Sequence, residues 1–545
     1  MQTVLVVGAG PVGLVMAAEL ARHGIRPRII DALAQPSPYC RALGVTTQTL
    51  EVWEDIGILH EAIDAGIWIS GRRIALAGKP AQDYPEDLAG FPYAQATLSL
   101  PQPMTERILT RHLQAYGIVI ERGVTLTALT QDNQAVSVQL TTADGRTEDA
   151  QVRYVVGCDG AHSFVRRAAN IAFEGELLPF EFMLGDVQMD WSLPRGYSFQ
   201  SVYPMSNSAP DFFVAIPMPE PHRYRVSMLA PTELAPTGEG SDHGIQADRA
   251  APGLDLLQAK ADQLVGEPVR LSDLCWSSIF RISLRLARSY QAGNVFLAGD
   301  AAHIHPPTGG QGMNTGIQDA YNLAWKLALV LKGKSPASLL ESYTTERRQE
   351  AENVIDRSLR ASMNTGPAGF KTDRLADTQL TVSYRTSGWI APFSEANWPS
   401  DLRPGDRAPD CYGLRRPGIG YPIRLFDVLR GTAHVLLIDL REPTQRSLDD
   451  LQAFVVRLQD KLSEEVNVYL RIVVISQQAE GTNPFPPITW LQDPFGTFAK
   501  AYGSPSEAGW LIRPDGYISW CGTGYTNQDL LVYLRKLFSV GSFTK

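Results

Sequence analysis

Cysteine is scarce in this chain: five in 545 residues, at positions 40, 158, 275, 411 and 521, an odd number with no CxxC pair. That usage excludes a disulfide-stapled scaffold, a dithiol redox site and a cysteine-built zinc site, and it fits a reducing cytoplasm. Long basic runs are missing too. The formal net charge of -9 comes from well-mixed acids and bases, so nothing tracks a phosphate backbone and nucleic acid is not an expected partner. Nor does any apolar run reach the roughly 20 residues that a bilayer needs. The stretch from Val4 to Ala18 comes nearest, but Gly8, Gly10 and Gly13 interrupt it and no basic leader precedes it. It reads as buried strand, turn and helix.

What the chain does have is an ordinary globular balance, 44% hydrophobic and 20% charged. Its length exceeds the roughly 250 to 300 residues at which single cores stop growing, so several domains are expected. Thr3 to Val7 is a short apolar, β-branched run. Gly8-Ala9-Gly10-Pro11-Val12-Gly13 follows it, and a helical pattern then runs to His23. This is GxGxxG between strand and helix. Gly8 permits the tight turn, Gly10 lets backbone approach a pyrophosphate, and Gly13 lets helix and strand pack closely. A second strand from Arg26 to Ile30 ends in Asp31, 18 residues after Gly13, where a carboxylate can accept hydrogen bonds from a ribose. This motif leaves FAD and NAD both open.

Two further segments narrow the choice. Cys158-Asp159-Gly160-Ala161-His162-Ser163-Phe164-Val165-Arg166 follows the apolar strand Tyr154 to Val156. Val295-Phe296-Leu297-Ala298-Gly299-Asp300 runs into the Gly/Pro-rich loop from His303 to Asn314, and a helical pattern from Ile317 to Leu331 follows. A helix start offers free backbone N–H groups to partial negative charge. His303 and His305 form an HxH pair without a cysteine or acidic cluster to complete it, so no metal is expected. His162 and Arg166 read as structural or solvent-facing.

In this order and spacing the three segments resemble the class A flavoprotein monooxygenases, the family of p-hydroxybenzoate, phenol and polyketide hydroxylases, over about residues 1 to 360. The resemblance implies that Gly8, Gly10 and Gly13 hold the FAD pyrophosphate and that Asp31 is the ribose ligand. It implies that Arg41 contacts the pyrophosphate and that Gln102 lies along the ribityl chain. Asp159 would be tied to FAD and NAD(P)H, and Asp300 would bind the ribityl chain. Gly312, Met313 and Asn314 would lie at the flavin pyrimidine ring, and the Pro307 carbonyl near the substrate. Gln48-Thr49 departs from the family's usual Arg-Thr, which touches a secondary surface contact. Backbone freedom at Gly310 and Gly312 is expected to support movement of the flavin ring.

The middle of the chain, with alternating stretches such as Phe212 to Ile216 and Tyr224 to Leu229 between Pro-rich turns, reads as a β-sheet. Phe182, Tyr203, Phe213 and Met228 are candidates to line a substrate pocket there, and ordinary sheet core explains them equally well. The expected fold is α/β: a Rossmann-like (glutathione-reductase-like) FAD-binding domain over 1–175 and 286–363, with a substrate sheet inserted at 176–285. Residues 364–404 read as a linker, rich in Gly, Pro, Ser and Thr. From 405 to 545 a βαβ-helix-hairpin order resembles the thioredoxin-like domain of phenol and polyketide hydroxylases, without CxxC.

The resemblance implies a monooxygenase that takes electrons from NADPH or NADH and uses O2, through a flavin C4a-hydroperoxide, to hydroxylate a small phenolic or polyketide-type aromatic. No second GxGxxG follows a strand, so the nicotinamide would dock transiently. Baeyer-Villiger or epoxidising chemistry on the same scaffold, and a non-catalytic FAD-binding protein, are the rival readings. The sequence leaves a homo-oligomer open.

Overall fold

A parallel strand covered on both faces needs a continuous apolar run, and the three motifs follow such runs at 4–6, 155–156 and 295–297, all fully buried. The structure is a computed structural model that describes residues 2–37, 40–76, 80–86, 97–203, 211–231, 244–245, 251–305, 310–363, 374–394, 398–462, 468–477, 488–503, 505–526 and 528–538. Its backbone divides into two units, one comprising Met1–Ala21, Arg26–Ala320 and Arg347–Leu380, the other Arg22–Ile25, Tyr321–Glu346 and Thr381–Lys545.

In the first unit Gln2–Val7 pairs in parallel with Thr147–Gly157 on one side and Arg28–Asp31 on the other. Val295–Leu297 and Ile120–Arg122 extend the sheet outward, again in parallel. This order sets the ends at Val7, Gly157 and Leu297 side by side. In parallel α/β sheets that edge is where ligands bind.

Phe173–Asp190 and Arg270–Ala287, 18 residues each, pair antiparallel along their length and carry the chain into a second sheet. Arg223–Leu229, Asp211–Pro217 and Tyr197–Tyr203 continue it. Two further strands, Gly71–Leu76 and Gln82–Pro85, come from the stretch read as FAD-binding, so the sheet is not confined to 176–285. The outer one is exposed throughout and shows no alternation to betray it. One face of the sheet packs Met183, Val187, Phe199, Phe213, Val226 and Met228 against the helix Leu254–Leu264. Pairing puts Val202, Phe212, Leu229, Phe182 and Phe280 on the other face.

In the second unit His434–Asp439, Leu470–Ser476 and Thr489–Gln492 are parallel neighbours, and Ala508–Ile512 and Ile518–Thr523 add an antiparallel edge. Leu436 and Ile438 face Leu451, Phe454 and Leu534, while Val435 and Leu437 face Phe498, Tyr502 and Trp510. The stretch read as a linker is not a bare tether. It includes the short helix Arg374–Asp377, and Gln379, Tyr384 and Trp389 are buried. A segment without periodicity can still be fixed by individual side chains.

This second unit buries four charges together. Arg513 donates to both oxygens of Glu346 at 2.9 Å and also binds Asp515, and Lys326 Nζ lies 2.7 Å from Glu346 Oε2. Burial alone would push Glu346 up, but Arg513 and Lys326 outweigh it and hold the carboxyl well below its ordinary range. Burial pulls Lys326 down to about 8. Removing one partner strands the others in low dielectric, so Arg513→Met should destabilise the protein by about 3–5 kcal/mol in urea unfolding at neutral pH. A depressed carboxyl gives its stabilisation above its unfolded value of about 4.3 and loses it as the pH falls through the folded value. The gap between wild type and variant should therefore narrow on acidification. A gap under about 1 kcal/mol at neutral pH would show that the cluster does not act as a unit.

Candidate functional site

Glycine geometry joins the three motif segments. Gly8 has φ +101°, and a Cβ there would stand 2.4 Å from the Cys158 carbonyl oxygen; a Cβ on Gly13 would stand 1.9 Å from the Gly8 carbonyl oxygen. Cys158 N donates to Val7 O at 2.8 Å. The third segment meets the same turn, because a Cβ on Gly299 or on Gly316 would fall 2.9 Å or 2.6 Å from Val12 Cγ2. Gly10 differs from these. A Cβ there would meet nothing within 4 Å, so its flank is open, beside the start of the helix Pro11–Arg22.

Around this turn the candidate residues fall into groups. Asp31 Oδ2 accepts from Ala9 N and Oδ1 from Leu33 N, both at 2.8 Å, which ties the second strand end to the glycine turn; Arg122 stands 3.8 Å away. Gln102 Oε1 accepts from Ala42 N at 3.1 Å and its Nε2 donates to Glu106 at 2.8 Å. Arg41 is exposed next to Ala42. Burial raises Glu106, and the charges that act on it include Arg122, Asp31 and Arg41, so these side chains share one neighbourhood.

Asp159 spends its carboxylate on its own loop: Oδ1 accepts from Ser163 Oγ at 2.6 Å and Oδ2 from Val165 N at 3.1 Å. Burial raises it. Asp300 is half-buried in the turn after Val295–Leu297. Pro307 lies outside the described residues. Gly312, Met313 and Asn314 belong to the first turn of a helix, Gly312–Leu331, which starts earlier than its hydrophobic periodicity suggests. Asn314 faces inward: Oδ1 accepts from Thr46 N, and Nδ2 donates to Gly44 O and Gly310 O. Gln48 and Thr49 are buried and therefore not a surface contact.

Asp319 and Arg347 of this site escaped the sequence. Asp319, fully buried, accepts from Gly299 N at 3.0 Å and from Arg347 Nε at 2.7 Å, and pairs with His303 Nε2 at 2.7 Å. Burial would raise its carboxyl, but His303 and Arg347 prevail and lower it. The HxH pair thus serves a carboxylate and a ring stack, His303 lying 6.1 Å from His305 and 6.0 Å from Tyr290. Arg166 is buried rather than solvent-facing; it donates to Ala161 O and Ala301 O, stitching the second segment to the third, and stacks 3.7 Å over Phe173. Burial brings it down to about 10. A signal for Asp319 exists, since an acid inside the apolar run 317–331 must be paired, but nothing in the charged stretch 342–357 singles out Arg347.

A dinucleotide fits these residues. Gly10 leaves a clear flank, the adjacent helix start presents free N–H groups, and Gln48 Oε1 is buried without a partner among the described residues. Among those residues no group of three or more His, Cys, Asp or Glu is arranged to hold a metal ion.

A family model described as an FAD binding domain matches residues 1–358. The chain is 36% identical to the 6-methylpretetramide 4-monooxygenase of Streptomyces rimosus, over 98% of this chain and 93% of that protein. It is 30% identical to the pentachlorophenol 4-monooxygenase of Sphingobium chlorophenolicum, over 97% and 95%. The chain belongs to the FAD-dependent aromatic monooxygenases. Its mixed α/β fold matches that of aklavinone-11 hydroxylase, solved in a ternary complex with FAD and aklavinone, with a TM-score of 0.77, 25% identity and coverage of 98% and 99%. No helix among the described residues of this monooxygenase is long and apolar enough to cross a membrane.

The two glycines expected to supply backbone freedom separate here. Gly310 has φ +66°, whereas Gly312 lies outside the left-handed region, and a Cβ there would make an ordinary 3.6 Å contact with His305. Gly310→Ala should therefore cost about 1–2 kcal/mol in denaturant unfolding and Gly312→Ala a few tenths or less. Equal costs would contradict this backbone.

Proposed function

We propose that this monooxygenase hydroxylates a phenolic or polyketide-type aromatic, using electrons from NADH or NADPH and molecular oxygen. The observation that carries the reading is the convergence of three strand ends on the open flank of Gly10, in the unit whose second sheet presents a half-buried apolar face. Bound FAD would supply the redox chemistry, accepting hydride and activating oxygen. Gly8, Gly10, Gly13, Asp31 and Arg41 would hold its pyrophosphate and ribose end. Gln102 and Asp300 would take the ribityl chain, and the helix start at Gly312–Asn314, with Pro307 before it, the ring end. Asp159 holds its loop in shape for FAD and a transiently docked nicotinamide.

The chain's own work is to bind the aromatic ring, orient it and keep water away. Phe182 and Phe212 touch on the apolar face, their ring centroids 5.6 Å apart, and Phe280 pairs opposite Phe182. Gln200 and Ser227, in the adjacent row, offer hydrogen bonds to a phenolic hydroxyl. In the next row Arg225 donates to both oxygens of Asp186, at 2.5 and 2.8 Å, over Trp276. Phe182 keeps the pocket role first assigned to it; Phe213 and Met228 do not, because both lie in the core on the opposite face, and Tyr203 packs against that core. We also read the second unit as thioredoxin-like, which its order of three parallel strands and an antiparallel pair supports. Thiol exchange forms no part of that reading, since burial raises both Cys411 and Cys521.

The purified chain should be yellow, with one non-covalent FAD. Asp300→Ala should weaken FAD binding about tenfold, the value of one hydrogen bond to a charged group. A panel of phenols and polyketide aromatics should contain a compound that accelerates NADPH or NADH oxidation and gains one oxygen atom by mass. A colourless chain that takes up no FAD on addition would end the reading.

Strand parity yields a second test. Phe212→Ala should raise the KM for that substrate with little change in melting temperature. Phe213→Ala, one residue along but in the core, should cost about 3–5 kcal/mol of stability. Reversal of these two outcomes would mean that the substrate uses the other face.

A further inference from the structure

Gln379 lies in the stretch that reads as a linker, beyond the end of the matched family domain at residue 358, yet it is 1% exposed and has φ +61°. A non-glycine residue enters that left-handed region only at a cost, and such strain persists where surroundings over-determine it. The surroundings here are hydrogen bonds. Gln379 Oε1 accepts from Thr46 Oγ1 at 3.0 Å and from Gln318 Nε2 at 2.9 Å, and its Nε2 donates to Thr315 Oγ1 at 3.0 Å. The neighbouring Thr378 carbonyl accepts from Gln48 N at 3.1 Å.

These partners belong to two segments. Thr46 and Gln48 follow the stretch from Arg41 to Val45, while Thr315 and Gln318 lie in the opening turns of the helix Gly312–Leu331. Asn314 bridges the same two segments through Thr46 N and Gly44 O. The chain of contacts continues inward, because Arg347 donates to Gln318 Oε1 at 3.4 Å and to Thr315 O at 3.1 Å, and binds Asp319, which holds Gly299. One buried polar path thus runs from Thr46 through Gln379 to the turn that carries Asp300.

We propose that Gln379 is a positioning residue for the flavin: it holds the 44–48 and 310–318 segments at a fixed separation, and so sets both FAD affinity and the surroundings of the isoalloxazine ring. The inference rests on the flavin reading above. Without Gln379 the Thr46 hydroxyl, the Thr315 hydroxyl and the Gln318 amide lose a buried partner, and the two segments lose the tie that Gln379 adds to the Asn314 bridge.

The test uses the full-length protein with Gln379→Ala and Gln379→Gly. Glycine accepts the left-handed backbone, so this variant removes the side chain without leaving the strain, and it keeps the test available if the alanine variant does not fold. FAD affinity is measured by flavin fluorescence, and the visible spectrum of the bound flavin is recorded on protein whose circular dichroism matches wild type. The expected result for Gln379→Gly is an FAD Kd raised about tenfold and a shifted visible spectrum. A purely structural role would lower the melting temperature and leave both flavin readouts at wild-type values, and that result overturns the proposal. If the wild type itself binds no FAD, the flavin reading fails and takes this inference with it. If the wild type binds FAD and the folded glycine variant binds it as tightly with the same spectrum, this inference alone fails.

Discussion

At Gly13 the helix Pro11–Arg22 lies so close to the Gly8 carbonyl that one methyl group would sit 1.9 Å from its oxygen. The arrangement of the whole candidate site depends on that closeness. Gly8 stands nearly as close to the Cys158 carbonyl, and Gly299 and Gly316 close on the Val12 side chain, so each motif segment is located by close contact with another. Protein interiors at this density yield little. Strand ends fixed in this way give Asp31, Asp159 and Asp300 defined places before any side-chain hydrogen bond is counted.

Charge then completes what packing begins. A buried carboxylate is expensive, and ion pairs in low dielectric add little net stability over apolar packing; what they do fix is geometry. Asp319 receives a backbone N–H, an imidazole and a guanidinium, and the backbone N–H belongs to Gly299, the residue before Asp300. Its three donors come from positions 299, 303 and 347, so one acid gathers strand end, loop and a later helix. The second unit uses the same device around Glu346, whose partners are Asn322 and Lys326, one turn apart on a single helix, and Arg513 from a distant strand end. In both places a charge that would be costly alone becomes a clamp because both carboxylate oxygens have hydrogen-bond partners.

Much of this was legible in the sequence where local chemistry dictates local structure. The apolar runs before Gly8, Cys158 and Asp300 are strands, and Gly8 and Gly13 have the backbone roles that a strand-turn-helix crossing demands. The strands around Phe212 and Tyr224 and the helix Gln445–Leu462 also fall where periodicity puts them, and the helix ending at Leu331 does so from Ile317 onward. What could not be read depends on partners distant in sequence. Arg166 looks like any arginine on a short helix until the Ala301 carbonyl arrives from 135 residues away. Gln379 sits in a stretch with no periodicity, and its buried hydrogen-bond partners Thr46, Thr315 and Gln318 are all distant in sequence. The edge strand Gln82–Pro85 has no apolar face and so no signal of its own.

Strand parity belongs to the same class of information. Phe212 and Phe213 are adjacent and chemically identical, yet one joins the open face and the other the core, because a strand alternates and its pairing register decides which face is which. The helix Leu254–Leu264 covers one face and commits Phe213, Met228 and Met183 to packing, where a change of size costs stability. On the opposite face the buried Arg225–Asp186 pair is constrained in turn, whereas Phe182, Phe212, Leu229 and Phe280 are only half-buried. These half-buried residues can change in size and polarity while the sheet, the strand ends and the glycine crossings stay as they are. Proteins named for 6-methylpretetramide and for pentachlorophenol can therefore share most of their length with this chain, since what distinguishes their ligands need not touch what holds the fold.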